Sequence, residues 1–127
     1  MAQQSARQKM INEAVKGTMT PLDQPTMEKL IQYTVPDQAQ FCVIYFTAKW
    51  CGPCNNMLLD KIVMSNNNLN WYLCDIDEND YTAGYCGVRT VPSFMGIVYG
   101  KPTKVLSNSN QTEIIRWLQC LTAVPKK

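Results

Sequence analysis

The feature that most limits the fold of this chain is a run of β-branched and aromatic residues that leads into a pair of cysteines. Residues 41–46 read Phe-Cys-Val-Ile-Tyr-Phe, without the alternation of a half-exposed strand. Such a run predicts a strand buried on both faces, as in the centre of an α/β sheet. The segment Trp50-Cys51-Gly52-Pro53-Cys54 follows and opens a helical pattern. The sequence therefore predicts a strand-to-helix junction that carries two cysteines.

The rest of the chain supplies the elements of a mixed sheet. Residues 51–64 predict a helix and residues 71–76 a second buried strand, so this unit has parallel strands and a right-handed crossover. Strands at 93–99 and 103–106, joined through Gly100-Lys101-Pro102, predict an antiparallel hairpin. Further helices are expected at 26–33, capped by Thr26, at 79–85 and at 111–122. We expect an α/β fold with a central mixed sheet of four to five strands flanked by helices.

The first 25 residues are interpreted as an N-terminal extension. Residues 6–16 predict a short helix that ends at Gly17, and residues 18–25 are rich in turn formers. The remainder, residues 26–127, has the size of one ordinary domain.

Composition excludes several classes of function. The chain has no histidine, which excludes Cys-His dyads, Ser-His-Asp triads and zinc sites with imidazole ligands. The formal net charge is +2, and the sequence has no basic stripe interleaved with aromatic residues, so we expect no nucleic-acid partner. Lys126 and Lys127 are interpreted as a solvated end.

The compartment is predicted from the N-terminal residues and the cysteines. Residues 1–16 lack the apolar run of a signal peptide, and no stretch has the length of a membrane-spanning helix. We therefore expect a cytoplasmic protein with no membrane partner. Reducing conditions there would keep most of its six cysteines as free thiols.

The spacing of Cys51 and Cys54 suits reversible disulfide chemistry. Cysteines three apart in the first turn of a helix have Cα atoms roughly 5–6 Å apart, a distance that a disulfide accepts. Unpaired N–H groups at the helix start favour a thiolate on Cys51. Pro53 fits the first turn, and Gly52 leaves the approach to Cys51 open. We expect Cys51 to attack a substrate disulfide and Cys54 to resolve the mixed disulfide.

The sequence is also compatible with other interpretations of these residues. Six cysteines produce such a pair by chance about a quarter of the time, and the pair could be half of a zinc site, although we expect no metal. Trp50 is either a flat apolar platform beside the sulfur or a core residue. Cys42, Cys74 and Cys120 are interpreted as buried apolar residues, and Cys86 as either a packing residue or a regulatory thiol.

The chain resembles the thioredoxin family over about residues 26–121, and two segments carry the resemblance. Trp50-Cys51-Gly52-Pro53-Cys54 reproduces the family's active-site motif, and Val88-Arg89-Thr90-Val91-Pro92-Ser93 is similar to the segment that carries its cis-proline. The resemblance implies a thioredoxin fold, with Pro92 against the sulfurs, although an ordinary proline at the start of a strand is the alternative. Trp50, Thr90, Val91 and Pro92 would then bind an extended substrate peptide.

The activity that the resemblance implies is thiol-disulfide exchange. The chain would be a protein disulfide reductase and electron carrier in cell redox homeostasis. Its partners would be disulfide-containing proteins and a separate thioredoxin reductase, because the chain has no nucleotide-binding glycine pattern of its own. We expect a monomer that needs no cofactor.

The sequence departs from the family at positions that handle protons. Tyr45 falls where the family usually has a buried Asp, and Leu73 where its partner Lys is usual. A buried Tyr is a poor base near neutrality, so Cys54 would lose its proton to water or to a substrate group. Lys49 would favour the Cys51 thiolate and acidic substrates, unless it is an exposed Lys with no role.

Two rival functions remain open, and the departures at Tyr45 and Leu73 together with the N-terminal extension motivate the first of them. The first is a binding subunit or processivity partner built on the same fold, which would keep its role in a Cys51→Ser, Cys54→Ser double variant. The second is a disulfide oxidase or isomerase. That activity would need an oxidising compartment and a reduction potential far from the thioredoxin value.

Overall fold

The computed structural model describes residues 2–123, with the side chains of residues 6–123. The interpretation of Lys126 and Lys127 lies outside these residues. The elements in chain order are α1 (Ala2–Lys16), β1 (Thr20–Pro21), α2 (Gln24–Gln32), β2 (Phe41–Thr47), α3 (Gly52–Asn56), α4 (Leu59–Met64), β3 (Asn70–Asp75), α5 (Asp80–Tyr85), β4 (Ser93–Val98), β5 (Lys101–Pro102), β6 (Leu106–Ser107) and α6 (Gln111–Thr122).

The predicted mixed sheet flanked by helices is confirmed. Its strand order is β1-β3-β2-β4-β5, and β6 also pairs with β4. Strand β2 lies at the centre, parallel to β3 and antiparallel to β4. Strand β1, from the segment interpreted as an extension, pairs in parallel with β3 at the edge.

The hairpin differs from the prediction in where its turn lies. Tyr99 and Gly100 both have positive φ, 50° and 82°, so the chain reverses within two residues. The returning strand therefore begins at Lys101. Its ladder is interrupted at Thr103, whose hydroxyl accepts a hydrogen bond from Gly96 N at 2.9 Å. This interruption divides the second strand into β5 and β6, so the sheet has six strands instead of the expected four to five.

The side chains of β2 alternate between two apolar faces. On one face, Tyr45 belongs to a cluster with Ile62 of α4 and Leu118 of α6. On the other face, Ile44 packs in a cluster with Leu30 of α2. Helices cover both faces, which explains why the sequence of β2 has no polar alternation.

Helix α2 begins earlier than predicted. Asp23 is its N-cap, and Asp23 Oδ1 accepts a hydrogen bond from Thr26 N at 2.9 Å. The prediction of Thr26 as the cap is therefore wrong. Pro25 fits the first turn, where its missing N–H costs nothing. The helix ends at Tyr33 in the left-handed conformation, with φ of 59°.

The single helix predicted over residues 51–64 is also wrong. Helix α3 ends after Asn56, and α4 begins at Leu59. Between them, Met57 has the extended backbone angles φ −68° and ψ 145°. The apolar spacing continues through this break, because Met57 and Ile62 are both buried while Leu58 is partly exposed. Periodicity alone therefore gave no sign of it.

Within residues 2–123, no helix combines the length and the apolar character that crossing a bilayer requires.

Candidate functional site

The two motif cysteines are bonded to each other where β2 passes into α3. Cys51 and Cys54 form a disulfide, with their Cα atoms 5.3 Å apart. Cys51 is the N-cap of α3, and the backbone N–H of Cys54 donates to Cys51 Sγ at 3.2 Å. Cys51 N donates to Ala48 O at 3.1 Å, which closes the turn after the strand. The strand and the short helix therefore fix the position of both sulfurs.

Three loops converge on the disulfide. Ala48, Ile76 and Val91 pack against the two cysteines, and they follow β2, follow β3 and precede β4 respectively. Ile76 N donates to Thr47 O at 3.0 Å, which ties the ends of the parallel strands β2 and β3 together. The carboxyl ends of parallel strands meet at one edge of a sheet, and the site lies at this edge.

The peptide bond between Val91 and Pro92 is cis. Pro92 is buried, Val91 is half-buried and Thr90 is exposed. Since Val91 packs on the cysteine cluster, the loop that carries the cis bond lies beside the disulfide. Gly52 and Pro53 are also exposed, which leaves the surface around the buried sulfurs open.

Trp50 lies on the surface and is held in place. Its side chain is 66% exposed, so the alternative that it is a core residue is wrong. Its Nε1 donates to Asp77 Oδ2 at 2.8 Å. The loop that carries Asp77 is ordered in turn by Asp75, whose Oδ1 accepts from the N–H groups of Asp77 at 2.9 Å and Glu78 at 3.4 Å. This loop fixes a flat aromatic surface next to Cys51.

Tyr45 and Leu73 are neighbours in the ladder between β2 and β3. Tyr45 is 1% exposed, and its ring stacks on Phe94 with the ring centroids 5.1 Å apart. Burial raises the pKa of Tyr45 to about 12. The phenol therefore stays protonated near neutral pH and is not a base there.

A cleft of about 410 Å³ opens beside the site, between α1 and the end of β2. Its walls include Thr47, Ala48 and the exposed Lys49. On the other side are Glu13 and Lys16 of α1, which form an ion pair. Ala48 lines the cleft and also packs on both cysteines, so the cleft lies close to the disulfide.

The four cysteines outside the motif are free thiols in different surroundings. Cys42 and Cys74 are buried as predicted, and burial raises the pKa of Cys42 to about 11 and that of Cys74 to about 12. Burial also raises the pKa of the half-buried Cys86 to about 11, and its Sγ lies 4.0 Å from Met27 Sδ, which favours a packing role. Cys120 is exposed, so its expected burial is wrong.

Sequence reasoning missed Asn12, which lies on α1 and is 2% exposed. Its Nδ2 donates to the backbone oxygens of Cys54 at 3.1 Å, Asn55 at 3.2 Å and Met57 at 2.7 Å. The nearest sequence signal is an amide on the side of α1 that also carries the half-buried Val15. Nothing local connects that amide to a cysteine 42 positions away.

Among residues 2–123, no group of three or more Cys, Asp or Glu side chains is arranged to hold a metal ion. Cys51 and Cys54 are bonded to each other, and the disulfide occupies both sulfurs of the motif.

Comparison with known proteins identifies the family. The thioredoxin family model matches residues 24–120. A thioredoxin of Geodia cydonium is 38% identical over 61 residues, which are 46% of this chain and 58% of that protein. Mitochondrial thioredoxin-3 of Saccharomyces cerevisiae is 38% identical over 55 residues, or 42% of this chain and 43% of that protein. The chain thus spans about half the length of these relatives.

Solved structures extend the likeness over more of the chain. Oxidised mitochondrial thioredoxin 3 of S. cerevisiae superposes with a TM-score of 0.69 at 27% identity and covers 86% of this chain and 98% of its own. Fasciola hepatica thioredoxin gives 0.70 at 26% identity and covers 81% and 99%. Because the family match begins at Gln24, α1 and β1 precede it. The match covers most of the chain and includes both cysteines and the cis-proline, so the chain belongs to the thioredoxin family.

Proposed function

We propose that this chain is a thiol-disulfide oxidoreductase that reduces disulfides in other proteins, with Cys51 as nucleophile and Cys54 as resolving cysteine. The observation that carries the proposal is the Cys51–Cys54 disulfide at the N-cap of α3, beside the cis Val91–Pro92 bond. The family membership supports the same chemistry.

The reaction has two exchange steps. In the reduced protein, the Cys51 thiolate attacks one sulfur of a substrate disulfide; a Cys51–substrate bond forms, and the other substrate sulfur leaves as a thiolate. Cys54 then loses its proton and attacks Cys51 Sγ, which releases the second substrate sulfur. The substrate gains two electrons and two protons, and the protein is left with the Cys51–Cys54 disulfide. In the disulfide form Cys54 N donates a hydrogen bond to Cys51 Sγ, and the same N–H would stabilise negative charge on that sulfur in the reduced form.

The second step needs a proton acceptor for Cys54. Tyr45 does not serve near neutral pH, because burial raises its pKa to about 12. We assign the proton to water that enters by the cleft beside Ala48, or to the departing substrate thiolate. A substrate thiolate is a stronger base than water, and it is present only when resolution is required.

Substrate binding is assigned to the exposed surface around the sulfurs. Trp50, fixed by Asp77, provides apolar contact area. Thr90 and the backbone of Val91, beside the cis bond to Pro92, would pair with an extended peptide. The positive charge of the exposed Lys49 would favour acidic substrates.

The four free thiols outside the motif suit a reducing compartment such as the cytoplasm. We propose that the chain acts there as a monomeric electron carrier in cell redox homeostasis. A separate thioredoxin reductase would return the pair to its dithiol form without a cofactor held by this chain.

Reduction of insulin disulfides in the presence of dithiothreitol tests the proposal. The wild type should accelerate precipitation of the insulin chains, whereas Cys51→Ser should add nothing to dithiothreitol alone. Cys54→Ser should retain the first step and accumulate a mixed disulfide that mass spectrometry detects. Cys120→Ser is the matched control, because this exposed thiol lies outside the site. A wild type no faster than Cys51→Ser would refute the proposal.

A further inference from the structure

Helix α1 precedes the part of the chain that matches the thioredoxin family, yet it packs against the two helices that follow the active-site cysteines. It contacts α3, which carries Cys54, and α4 beyond the break. Asn12 lies at this contact and is almost completely buried. A buried amide is retained at low cost only if its polar atoms are hydrogen-bonded.

The break between α3 and α4 leaves backbone oxygens without partners inside the helices, as every helix end does. Asn12 Nδ2 lies 3.1 Å from the oxygen of Cys54, 3.2 Å from that of Asn55 and 2.7 Å from that of Met57. The two N–H groups of one side-chain amide thus serve three oxygens around the break, with one hydrogen shared between two of them, and one of these oxygens belongs to Cys54 itself.

The oxygen of the Asn12 amide is also hydrogen-bonded. Asn12 Oδ1 accepts a hydrogen bond from Gln8 Nε2 at 2.9 Å, one turn earlier on α1. Gln8 Nε2 also donates to Asp60 Oδ1 at 3.0 Å, in the first turn of α4. The side chains of Gln8 and Asn12 therefore connect α4 to the backbone of Cys54, and they fix the orientation of the amide that holds it.

We propose that Asn12 is a positioning residue for Cys54 and that α1 thereby tunes the Cys51–Cys54 couple. This inference rests on the proposed function, since it concerns the resolving step of that reaction. Closing the disulfide is an intramolecular reaction, and its rate and equilibrium depend on how firmly the second thiol is held near the first. A fixed Cys54 backbone raises the effective concentration of its thiol at Cys51.

If Asn12 had only a structural role, its loss would affect stability and not the disulfide equilibrium. Loss of the amide would then lower stability, as loss of any buried contact of α1 does, without a specific effect on the disulfide. Val15→Ala provides this comparison, because Val15 lies on the same helix and packs on the core without a hydrogen bond to Cys54. The disulfide equilibrium with glutathione separates the two roles.

The experiment uses the full chain and compares the wild type with Asn12→Ala, Gln8→Ala and Val15→Ala. Equilibration with reduced and oxidised glutathione gives the effective concentration of the Cys54 thiol, and rapid acid quenching gives the lifetime of the glutathione mixed disulfide. We expect Asn12→Ala to lower the effective concentration and lengthen the lifetime by about tenfold. Gln8→Ala keeps the Asn12 donors but removes the hydrogen bond that orients the Asn12 amide. Its effective concentration should therefore fall less than that of Asn12→Ala. Val15→Ala should stay within about twofold of the wild type.

Two outcomes decide the matter. If Asn12→Ala and Gln8→Ala shift the equilibrium no more than Val15→Ala does, the positioning role is refuted. If Asn12→Ala does not fold, Gln8→Ala against Val15→Ala decides alone. The glutathione measurement needs no protein substrate, so failure of this inference is distinguishable from failure of the insulin assay.

Discussion

At the scale of single residues, the positions of some site residues can be predicted from the local sequence and those of others cannot. Cys51 and Cys54 could be paired from their spacing, because one helical turn brings Cα atoms within disulfide range. The exposed position of Cys120 could also have been derived, since the buried Leu118 and Leu121 define the inner face of α6 and Cys120 lies off it. Asn12 could not, because its partners are remote in sequence and an isolated Asn carries no pattern.

The different surroundings of the free cysteines predict a labelling pattern. With Cys51 and Cys54 oxidised, brief treatment of the native protein with iodoacetamide at pH 8 should label Cys120 and leave Cys42 and Cys74 unmodified. Both buried thiols are inaccessible, and a thiol whose pKa is raised to about 11 is only about one-thousandth thiolate at that pH. Peptide mapping by mass spectrometry measures the labels.

Treatment after unfolding in guanidinium is the control, in which all four free thiols should react. Rapid labelling of Cys42 or Cys74 in the native protein would contradict the packing described for β2 and β3.

At the scale of elements, the sequence predicts the strands and most helices but not every boundary. Strand β2 is evident because its side chains are apolar on both faces. The start of α2 at Asp23 has a recognisable signal, an N-cap residue followed by proline in the first turn, and this signal is stronger than that of Thr26 alone. The break after Asn56 has no such signal, since no proline or glycine lies there and α1 supplies the hydrogen bonds at the break. Tertiary contact decides that boundary.

Alanine substitutions at two glycines, one packed under α6 and one exposed on α5, should change the free energy of unfolding in opposite directions. A Cβ on the buried Gly96 of β4 would clash with Leu121 Cδ1 and lie 3.0 Å from Cδ2, whereas a Cβ on Gly84 of α5 would have nothing within 4 Å. Gly96→Ala should therefore lower the free energy of unfolding by about 1–3 kcal/mol through overpacking. Gly84→Ala should raise it by about 0.5–1 kcal/mol, because alanine is the better helix former.

Urea denaturation of the two oxidised variants beside the wild type gives both differences. A Gly96→Ala variant as stable as the wild type would mean that the Leu121 side chain moves aside at no cost.

At the scale of the whole molecule, the predicted α/β fold is confirmed because its determinants are spread along the chain. The run in β2 requires cover on both sides, and the apolar faces of α2, α4 and α6 supply it. The edge strands were less predictable. Strand β1, at Thr20 and Pro21, is too short for any periodicity, and its pairing depends on β3, about fifty residues away.

Buried groups on both faces of the sheet predict the alkaline limit of stability. Burial raises the pKa of Cys42 from 9.0 to about 11, that of Cys74 from 9.0 to about 12 and that of Tyr45 from 10.0 to about 12. In each case the folded state holds the proton more tightly than the unfolded state. The stabilisation is therefore complete below about pH 9 and is lost as the pH rises towards 11–12.

We expect the melting temperature of the reduced protein to fall steadily above about pH 9. In Cys42→Ala, the slope of this fall should be smaller, because one of the titrating groups is gone. Scanning calorimetry under reductant measures the slopes. Equal slopes in the wild type and Cys42→Ala would contradict the assignment.

Both outer margins of the sheet are formed by strands of only two residues. The margin beside β3 is β1, Thr20–Pro21, and the margin beside β4 is β5, Lys101–Pro102, followed by β6, Leu106–Ser107; β1 and β5 each end in a proline without an N–H to offer. A foreign strand that approached either side would find few backbone donors in register, so addition of a neighbouring molecule to the sheet is disfavoured. The proposed function would bring the chain into contact with partially unfolded, oxidised proteins, and margins of this kind would hinder the growth of fibrils with them.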